Sequence, residues 1–143
     1  MDEFFTTPAA WQPDVLPPHP RPDPARLLSQ PMFSFDLPAE MDRLMAEGTW
    51  NSGKHNAITL MKSGPMSIVL IAMHEGNEIK MHKVEGPVSV FIIKGKLQFN
   101  TANDSALLLK DQLLTLPDNI EHNLIAVEET VLLLTMINFT QVK

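Results

Sequence analysis

The sequence predicts an all-β domain, an antiparallel sandwich or barrel with one short helix on its N-terminal side. From residue 58 onward, about nine short apolar segments follow one another at a spacing of roughly 8–12 residues. Glycine, proline, asparagine and aspartate separate these segments, and such residues are typical of tight turns between strands. No helical pattern interrupts the series, so we expect the strands to form an antiparallel structure.

Length and composition restrict the class of protein. The 143 residues are enough for one domain with one hydrophobic core, and the net charge is −6. An acidic chain lacks the concentrated basic surface that phosphate binding needs, so no nucleic-acid partner is expected. The absence of cysteine excludes disulfides, thiolate catalysis and cysteine-ligated metals. No apolar run is long enough to span a membrane and the N-terminus is acidic, which favours a cytoplasmic protein.

Residues 1–33 are predicted to be a proline-rich arm, and residues 34–143 a barrel domain with its N-terminal helix. Eight of the 12 prolines lie in the first 31 residues, and proline excludes both a helix and a central strand there. One interpretation is a disordered or extended lead-in. The other is an arm that lies across the barrel or across a partner subunit, for which its aromatic and aliphatic residues offer apolar anchors.

A short helix is predicted between Asp36 and Gly48. Asp36 can cap its N-terminus, and Pro38 suits the first turn. Arg43 and Glu47 stand four residues apart and are expected to form a weak surface ion pair. One face of this helix carries apolar residues at helical spacing, which indicates packing against the core: Leu37, Met41, Leu44 and Met45.

The predicted strands are short apolar runs between turn residues: Ile58–Met61, Met66–Met73, Glu78–His82, Val88–Ile93, Lys96–Phe99, Ala106–Leu109, Gln112–Thr115, Asn123–Val127 and Thr130–Asn138. The last strand is apolar on both faces, so something must cover its outer side. The helix, the arm and a second subunit are the three candidates for this cover.

Two stretches within the strand region carry a known pattern. In GNEIKMHKVEGPVSVFIIKG, Gly76, His82 and Gly95 have the spacing of a motif that reads Gly, five residues, His-x-His, three or four residues, Glu, six residues, Gly. In PDNIEH, Pro117 and His122 have the spacing of Pro-x-Gly-x-x-His. Together they resemble the two signature motifs of the cupin superfamily, in its small single-domain form.

The resemblance implies a double-stranded β-helix, or jelly roll, over residues from about 50 to 138. It also implies that His122 faces His82 across the barrel. The sequence departs from the family pattern at two metal-ligand positions, since Val84 replaces the second histidine and Val88 replaces the glutamate. Two of the four usual ligands are therefore missing, and at most a weakly bound divalent metal on His82 and His122 is expected.

Strand periodicity predicts what surrounds the two histidines. If His82 points inward, positions of the same parity do so as well, which gives an imidazole in an aliphatic pocket: Val84, Val88, Val90 and Ile92. His55 is the candidate for a third ligand. Folding the predicted hairpin over KSGP sets His55 beside Ala72, which would then pair with the region of Lys80, about 10 Å from His82. His74 is expected to be a solvent-facing turn residue.

These observations favour a protein that binds a small molecule around His82, His122 and His55, with no catalytic residue assigned. An apolar cavity with a few convergent polar groups is typical of a ligand pocket. Lys54 and Trp50 lie near its predicted rim, although packing is the favoured role for Trp50.

One alternative is an atypical metal-dependent enzyme of the dioxygenase or isomerase type. Another is a dimeric structural or interaction module, and a homodimer is expected in either case. Because the chain has no tyrosine, the His/Tyr chemistry of cupin-like epimerases would need another acid.

Overall fold

The computed structural model describes residues 32–81, 86–117 and 120–139. The predicted arm lies outside the described residues except for its last two positions. In chain order the helices are α1 (Leu37–Ala46) and α2 (Gly48–Ser52), and the strands are β1 (His55–Ser63), β2 (Met66–Met73), β3 (Glu78–Met81), β4 (Val88–Lys94), β5 (Lys96–Asn100), β6 (Ser105–Leu109), β7 (Leu113–Leu116), β8 (His122–Ala126) and β9 (Thr130–Ile137).

The nine strands form two antiparallel sheets. One sheet has five strands in the order β1-β2-β9-β4-β7, and the other has four in the order β3-β8-β5-β6. Consecutive strands repeatedly fall in different sheets, as they do when a chain winds around a jelly roll. The predicted all-β jelly-roll fold is therefore confirmed, with its two sheets remaining distinct.

The main core fills the space between the two sheets. Strand alternation turns one face of each strand inward, as the β4 pattern shows, where Val88, Val90 and Ile92 are buried and their neighbours are less so. The same core takes Leu97 and Phe99 from β5 in the opposite sheet. The inward direction predicted for the three β4 residues is confirmed.

Helix α1 covers the outer face of the five-stranded sheet. Asp36 caps it, accepting a hydrogen bond from the backbone N–H of Ala39 at 3.3 Å. Leu44 is fully buried in a second core that also contains Leu70 and Val131. Helix α1 is thus one of the three expected candidates that does cover the last strand.

The predicted pair of Arg43 with Glu47 is wrong. Arg43 contacts Glu40 at 3.2 Å, and a carboxylate oxygen of Glu47 accepts a hydrogen bond from the side chain of Asn56 at 2.8 Å.

The hairpin of β1 and β2 corrects the expected neighbours of His55. The hairpin closes with Ser63 opposite Met66, and a register shift between Thr59 and Met61 follows, so that His55 lies opposite Met73 rather than Ala72. Ala72 pairs with Val131 of β9 and not with the region of Lys80, because β3 belongs to the other sheet. The lateral route from His55 through β2 to β3 that the hairpin suggested does not exist.

Among the described residues, no helix has the length and apolar character required to cross a membrane.

Candidate functional site

His122 is the first residue of β8 and lies opposite Met81, the last described residue of β3. Its imidazole is buried and stacks on the ring of Phe99, with ring centroids 5.0 Å apart and an angle of 15° between the planes. His122 Nδ1 lies 3.1 Å from the carbonyl oxygen of Ile120, and Nε2 lies 3.1 Å from the sulfur of Met81. Ile120 and Met81 therefore contact the two ring nitrogens of His122, and Phe99 contacts one face of the ring.

The surroundings of His122 define its protonation state. A carbonyl oxygen accepts a hydrogen bond much better than a thioether sulfur does, so Nδ1 carries the proton and donates to Ile120. The lone pair of Nε2 then faces Met81. Burial lowers the pKa of His122 below its ordinary value of 6.5, although the hydrogen bond to Ile120 acts in the opposite direction. His122 is thus a neutral imidazole near pH 7, whose Nε2 lone pair faces the thioether sulfur of Met81 and no hydrogen-bond donor.

The lowered pKa of His122 gives a pH dependence of stability. The unfolded chain takes up this proton at higher pH than the folded protein, so the stabilising contribution is complete above 6.5 and is lost as the pH falls through the folded-state pKa. Urea unfolding at about pH 7.5 and about pH 5.5 should show a smaller free energy of unfolding at the lower pH. His122→Phe keeps an aromatic ring on Phe99 and should lose less over the same interval. Equal losses in both proteins would contradict the assignment.

A cleft of about 340 Å³ lies beside His122 and is lined by residues 80–81, 100–102 and 121–123. We call it the His122 cleft. Lys80, Asn123 and Asn100 lie in register across β3, β8 and β5, so one cationic and two amide side chains form a row at this place. The Oδ1 atom of Asn123 is buried and has no hydrogen-bond partner within the described part of the chain. This atom is an unsatisfied acceptor that is shielded from solvent.

An apolar pocket of about 140 Å³ lies close to the His122 cleft. Phe99 and Ala106 form one of its walls, Leu114 and Leu116 of β7 form the other, and Thr101 lines both this pocket and the His122 cleft. The pocket opens between the two sheets, where β6 and β7 are the edge strands. Polar and apolar recesses thus meet around His122 and Phe99, as is common in sites for small molecules.

His55 lies at the other end of β3 from His122. Its Nδ1 is 3.1 Å from Oδ1 of Asn77, the residue that precedes β3. From Asn77 to Met81 is four residues, which is about 13 Å along a strand. The structure therefore does not bring His55 together with His122, because His55 contacts the residue before the start of β3 whereas His122 lies opposite Met81 at its other end.

His74 is not the solvent-facing turn residue that the sequence suggested. Its ring stacks on Trp50, with centroids 3.5 Å apart, and its Nε2 donates to the carbonyl oxygen of Trp50 at 2.8 Å. Trp50 is buried in the second core, as its predicted packing role requires. Residue spacing alone did not reveal this contact, because α2 carries Trp50 back over the turn at 74–77.

His82 and Val84 lie outside the described residues, so the role predicted for His82 stays a prediction. Within the described ranges, no group of three or more His, Cys, Asp or Glu side chains is arranged to hold a metal ion. Beside His122 the nearest potential donor is the thioether of Met81, which divalent metals such as zinc or manganese do not favour. The described residues therefore do not fit the metal centre that the cupin pattern implies.

Sequence reasoning missed Met81, Phe99 and Asn123 as members of the site. Phe99 could have been found from alternation, because Leu97 and Phe99 are the buried positions of β5. Alternation from an inward-facing His82 would have excluded Met81, which is buried together with Ile79 in β3. Asn123 had no signal in the sequence, since its position beside Lys80 depends on the pairing of β3 with β8.

Known proteins were compared at the level of sequence and of structure. No protein-family model matches the sequence, and no curated protein matches it significantly. A cupin-2 domain protein from Shewanella frigidimarina is 12% identical, with a TM-score of 0.58 over 73% of this chain and 94% of its own. A conserved protein of unknown function from Streptococcus pyogenes is 21% identical, with a TM-score of 0.58 over 76% of this chain and 90% of its own.

A larger protein shares the same architecture. A variant of salicylate 1,2-dioxygenase from Pseudoaminobacter salicylatoxidans is 14% identical, with a TM-score of 0.65 over 83% of this chain. This chain spans 40% of the length of that dioxygenase. At such identities the likeness establishes the architecture and not the activity. Two antiparallel sheets in jelly-roll order, with structural neighbours of this kind, show that this chain has the cupin fold.

Proposed function

We propose that the protein binds a small molecule in the His122 cleft, with the apolar pocket beside Phe99 as part of the same site. The observation that carries this proposal is the state of His122. A buried, neutral imidazole is held in place by Phe99 and Ile120, borders a cleft, and has no strong donor for its Nε2 lone pair. A hydrogen-bond donor of a ligand would satisfy that nitrogen. His82, one residue after Met81, is predicted to belong to this site.

The lining favours a hydroxylated carboxylic acid with an apolar body. Lys80 and Glu121 both line the cleft, and the ammonium group of Lys80 can pair with a single ligand carboxylate that lies away from Glu121. The lone pair of His122 Nε2 can accept a hydrogen bond from a hydroxyl group of the ligand. The leucine side chains of β7 offer contacts for a hydrocarbon portion. Salicylate has each of these features and is also the compound for which the structurally similar dioxygenase is named.

The metal-dependent alternative lacks comparable support. A dioxygenase or isomerase centre would need His122, His82 and a further donor, and the described residues supply no such donor next to His122. The small-molecule proposal requires no metal, since His122 acts in it only as a hydrogen-bond acceptor. The expected homodimer and cytoplasmic location stay predictions.

Titration of ¹⁵N-labelled protein with salicylate tests the proposal. Benzoate and phenol are matched probes, because benzoate lacks the hydroxyl group of salicylate and phenol lacks the carboxylate. We expect salicylate to shift amide signals around residues 99–101 and 121–123, with a Kd about tenfold below that of either probe. His122→Phe should abolish this preference for salicylate over benzoate.

A pair of lysine variants supplies the control for salicylate binding. Lys80→Met should weaken binding, whereas Lys96→Met, an equivalent change on β5 outside the cleft, should leave it unchanged. Equal affinities for all three probes, or a preference for salicylate over benzoate that persists in His122→Phe, would overturn the proposal.

A further inference from the structure

A second cleft, of about 600 Å³, lies at the end of β3 that is remote from His122. It is lined by residues 53–55 and 74–78, and we call it the His55 cleft. None of these residues lines the His122 cleft or the apolar pocket beside it. It is therefore a separate concave surface, which the small-molecule proposal above does not use.

The wall of the His55 cleft is held in place by hydrogen bonds of the turn before β3. The backbone N–H of Gly76 donates to Ala126 at 2.7 Å, and the backbone of Asn77 both donates to His74 and accepts from Ala126. His74 is in turn fixed on Trp50 by stacking and by its hydrogen bond. The cleft thus has a preformed wall, so a ligand would not have to order it.

His55 presents an unused acceptor to this cleft. The amide oxygen of Asn77 can only accept, so His55 Nδ1 carries a proton and donates to it. Burial lowers the pKa of His55, the bond to Asn77 raises it and the nearby charge of Lys54 lowers it, with a net lowering from 6.5. The ring is therefore neutral near pH 7, and its Nε2 carries a lone pair with no partner among the residues the structure describes.

Charges of both signs stand around the imidazole. The ammonium group of Lys54 and the carboxylate of Glu75 line the cleft, and neither forms an ion pair with another described residue. Glu78 also lines it, and its carboxylate accepts a hydrogen bond from Asn123. One cation with two carboxylates disfavours a multiply charged anion such as a phosphate ester, because the carboxylates repel it.

We propose that the His55 cleft is a second ligand site, which binds a small amino acid in its zwitterionic form. The ligand carboxylate pairs with Lys54, and the ligand ammonium group donates to His55 Nε2 and to the carboxylate of Glu75. Asn77 is a positioning residue, since it holds the imidazole with Nε2 directed away from itself. Each free polar group of the cleft thus meets a ligand group of complementary charge or hydrogen-bonding character.

Three matched probes test the proposal on the full-length ¹⁵N-labelled protein at neutral pH. L-Alanine has both charged groups, propionate lacks only the ammonium group, and ethylammonium lacks only the carboxylate. We expect L-alanine to shift the amide signals of residues 53–55 and 74–78 with a Kd about tenfold below that of either analogue, since it makes one more charged contact than each of them. Equal affinities for the three probes would overturn the proposal.

Variants that do not touch the contact of His55 with Asn77 separate binding from folding. Lys54→Met should remove the preference for L-alanine over ethylammonium, and Glu75→Gln should reduce the preference over propionate, neither changing the midpoint of urea unfolding. Lys110→Met and Glu128→Gln are the same two substitutions at exposed positions outside both clefts, and they should retain the preference. If Lys54→Met and Glu75→Gln bind L-alanine as the unmodified protein does, the role of His55 and Asn77 is only to fasten the turn.

Each of the two proposals can be contradicted without affecting the other, because they predict shifts at different residues. L-Alanine shifts should appear at residues 53–55 and 74–78, whereas salicylate shifts should appear around His122. His122→Phe should leave L-alanine binding unchanged, and Lys54→Met should leave salicylate binding unchanged. Shifts from L-alanine that cluster around His122 instead would contradict the second site.

Discussion

Gly95→Ala is expected to destabilise the protein by about 3–5 kcal/mol. Gly95 has φ +93°, a conformation that side-chain-bearing residues rarely adopt. A Cβ atom here would lie 2.2 Å from the carbonyl oxygen of Glu129 and 2.6 Å from Oγ1 of Thr130. The Thr130 hydroxyl accepts from the backbone N–H of Lys96 at 3.2 Å and donates to backbone carbonyls. Alanine therefore adds backbone strain and displaces a buried group that joins β5 to β9.

Gly76→Ala is the matched control, because Gly76 is the other motif glycine with positive φ. Its φ is +84°, but a Cβ there would meet nothing within 4 Å. We expect only the conformational penalty, about 1–2 kcal/mol. Urea unfolding of both variants, followed by far-UV circular dichroism and tryptophan fluorescence, measures the difference. If Gly95→Ala lost no more stability than Gly76→Ala, the close approach of Glu129 and Thr130 would not be the reason for the glycine.

Leu44→Ala should destabilise the protein by about 2–5 kcal/mol. Leu44 is fully buried between α1 and the outer face of the five-stranded sheet, so truncation leaves a cavity next to Leu70 and Val131. The carbonyl group of Leu44 also accepts from the side chain of Asn56 at 3.0 Å, and any shift of the helix weakens that bond. The decrease in the free energy of unfolding therefore measures how much the packing of α1 on the sheet contributes to stability.

Leu44→Met is the control for this substitution. It keeps the buried volume nearly constant, so the expected loss is under about 1.5 kcal/mol. Salicylate binding to either folded variant should persist, because the second core lies on the opposite face of the five-stranded sheet from the main core. A Leu44→Ala protein as stable as Leu44→Met would mean that the helix contributes little to the stability of the sheet.

Local patterns were enough to predict most elements of this fold. The run from Met66 to Met73 forms β2 with the predicted bounds, and Asp36 caps α1 as expected. Each of these features depends on residues within a few positions of one another, on alternation in strands and on capping in the helix. The resemblance to cupins added the jelly-roll form, which the sheet order confirms.

Longer-range contacts could not be predicted in the same way. His55 was expected to approach the His122 site, but it contacts the turn before β3, where the chain passes from one sheet to the other. The surroundings of His122 likewise depend on Met81 and Phe99, which come from two strands far apart in sequence. By itself, the sequence determined most strands, helix α1 and the fold class, because these depend on side chains close together along the chain; it missed α2, which begins at Gly48 where a single helix was expected to end. Only the tertiary structure decided which side chains share a cleft, because strand pairing and sheet order join residues that no local pattern relates.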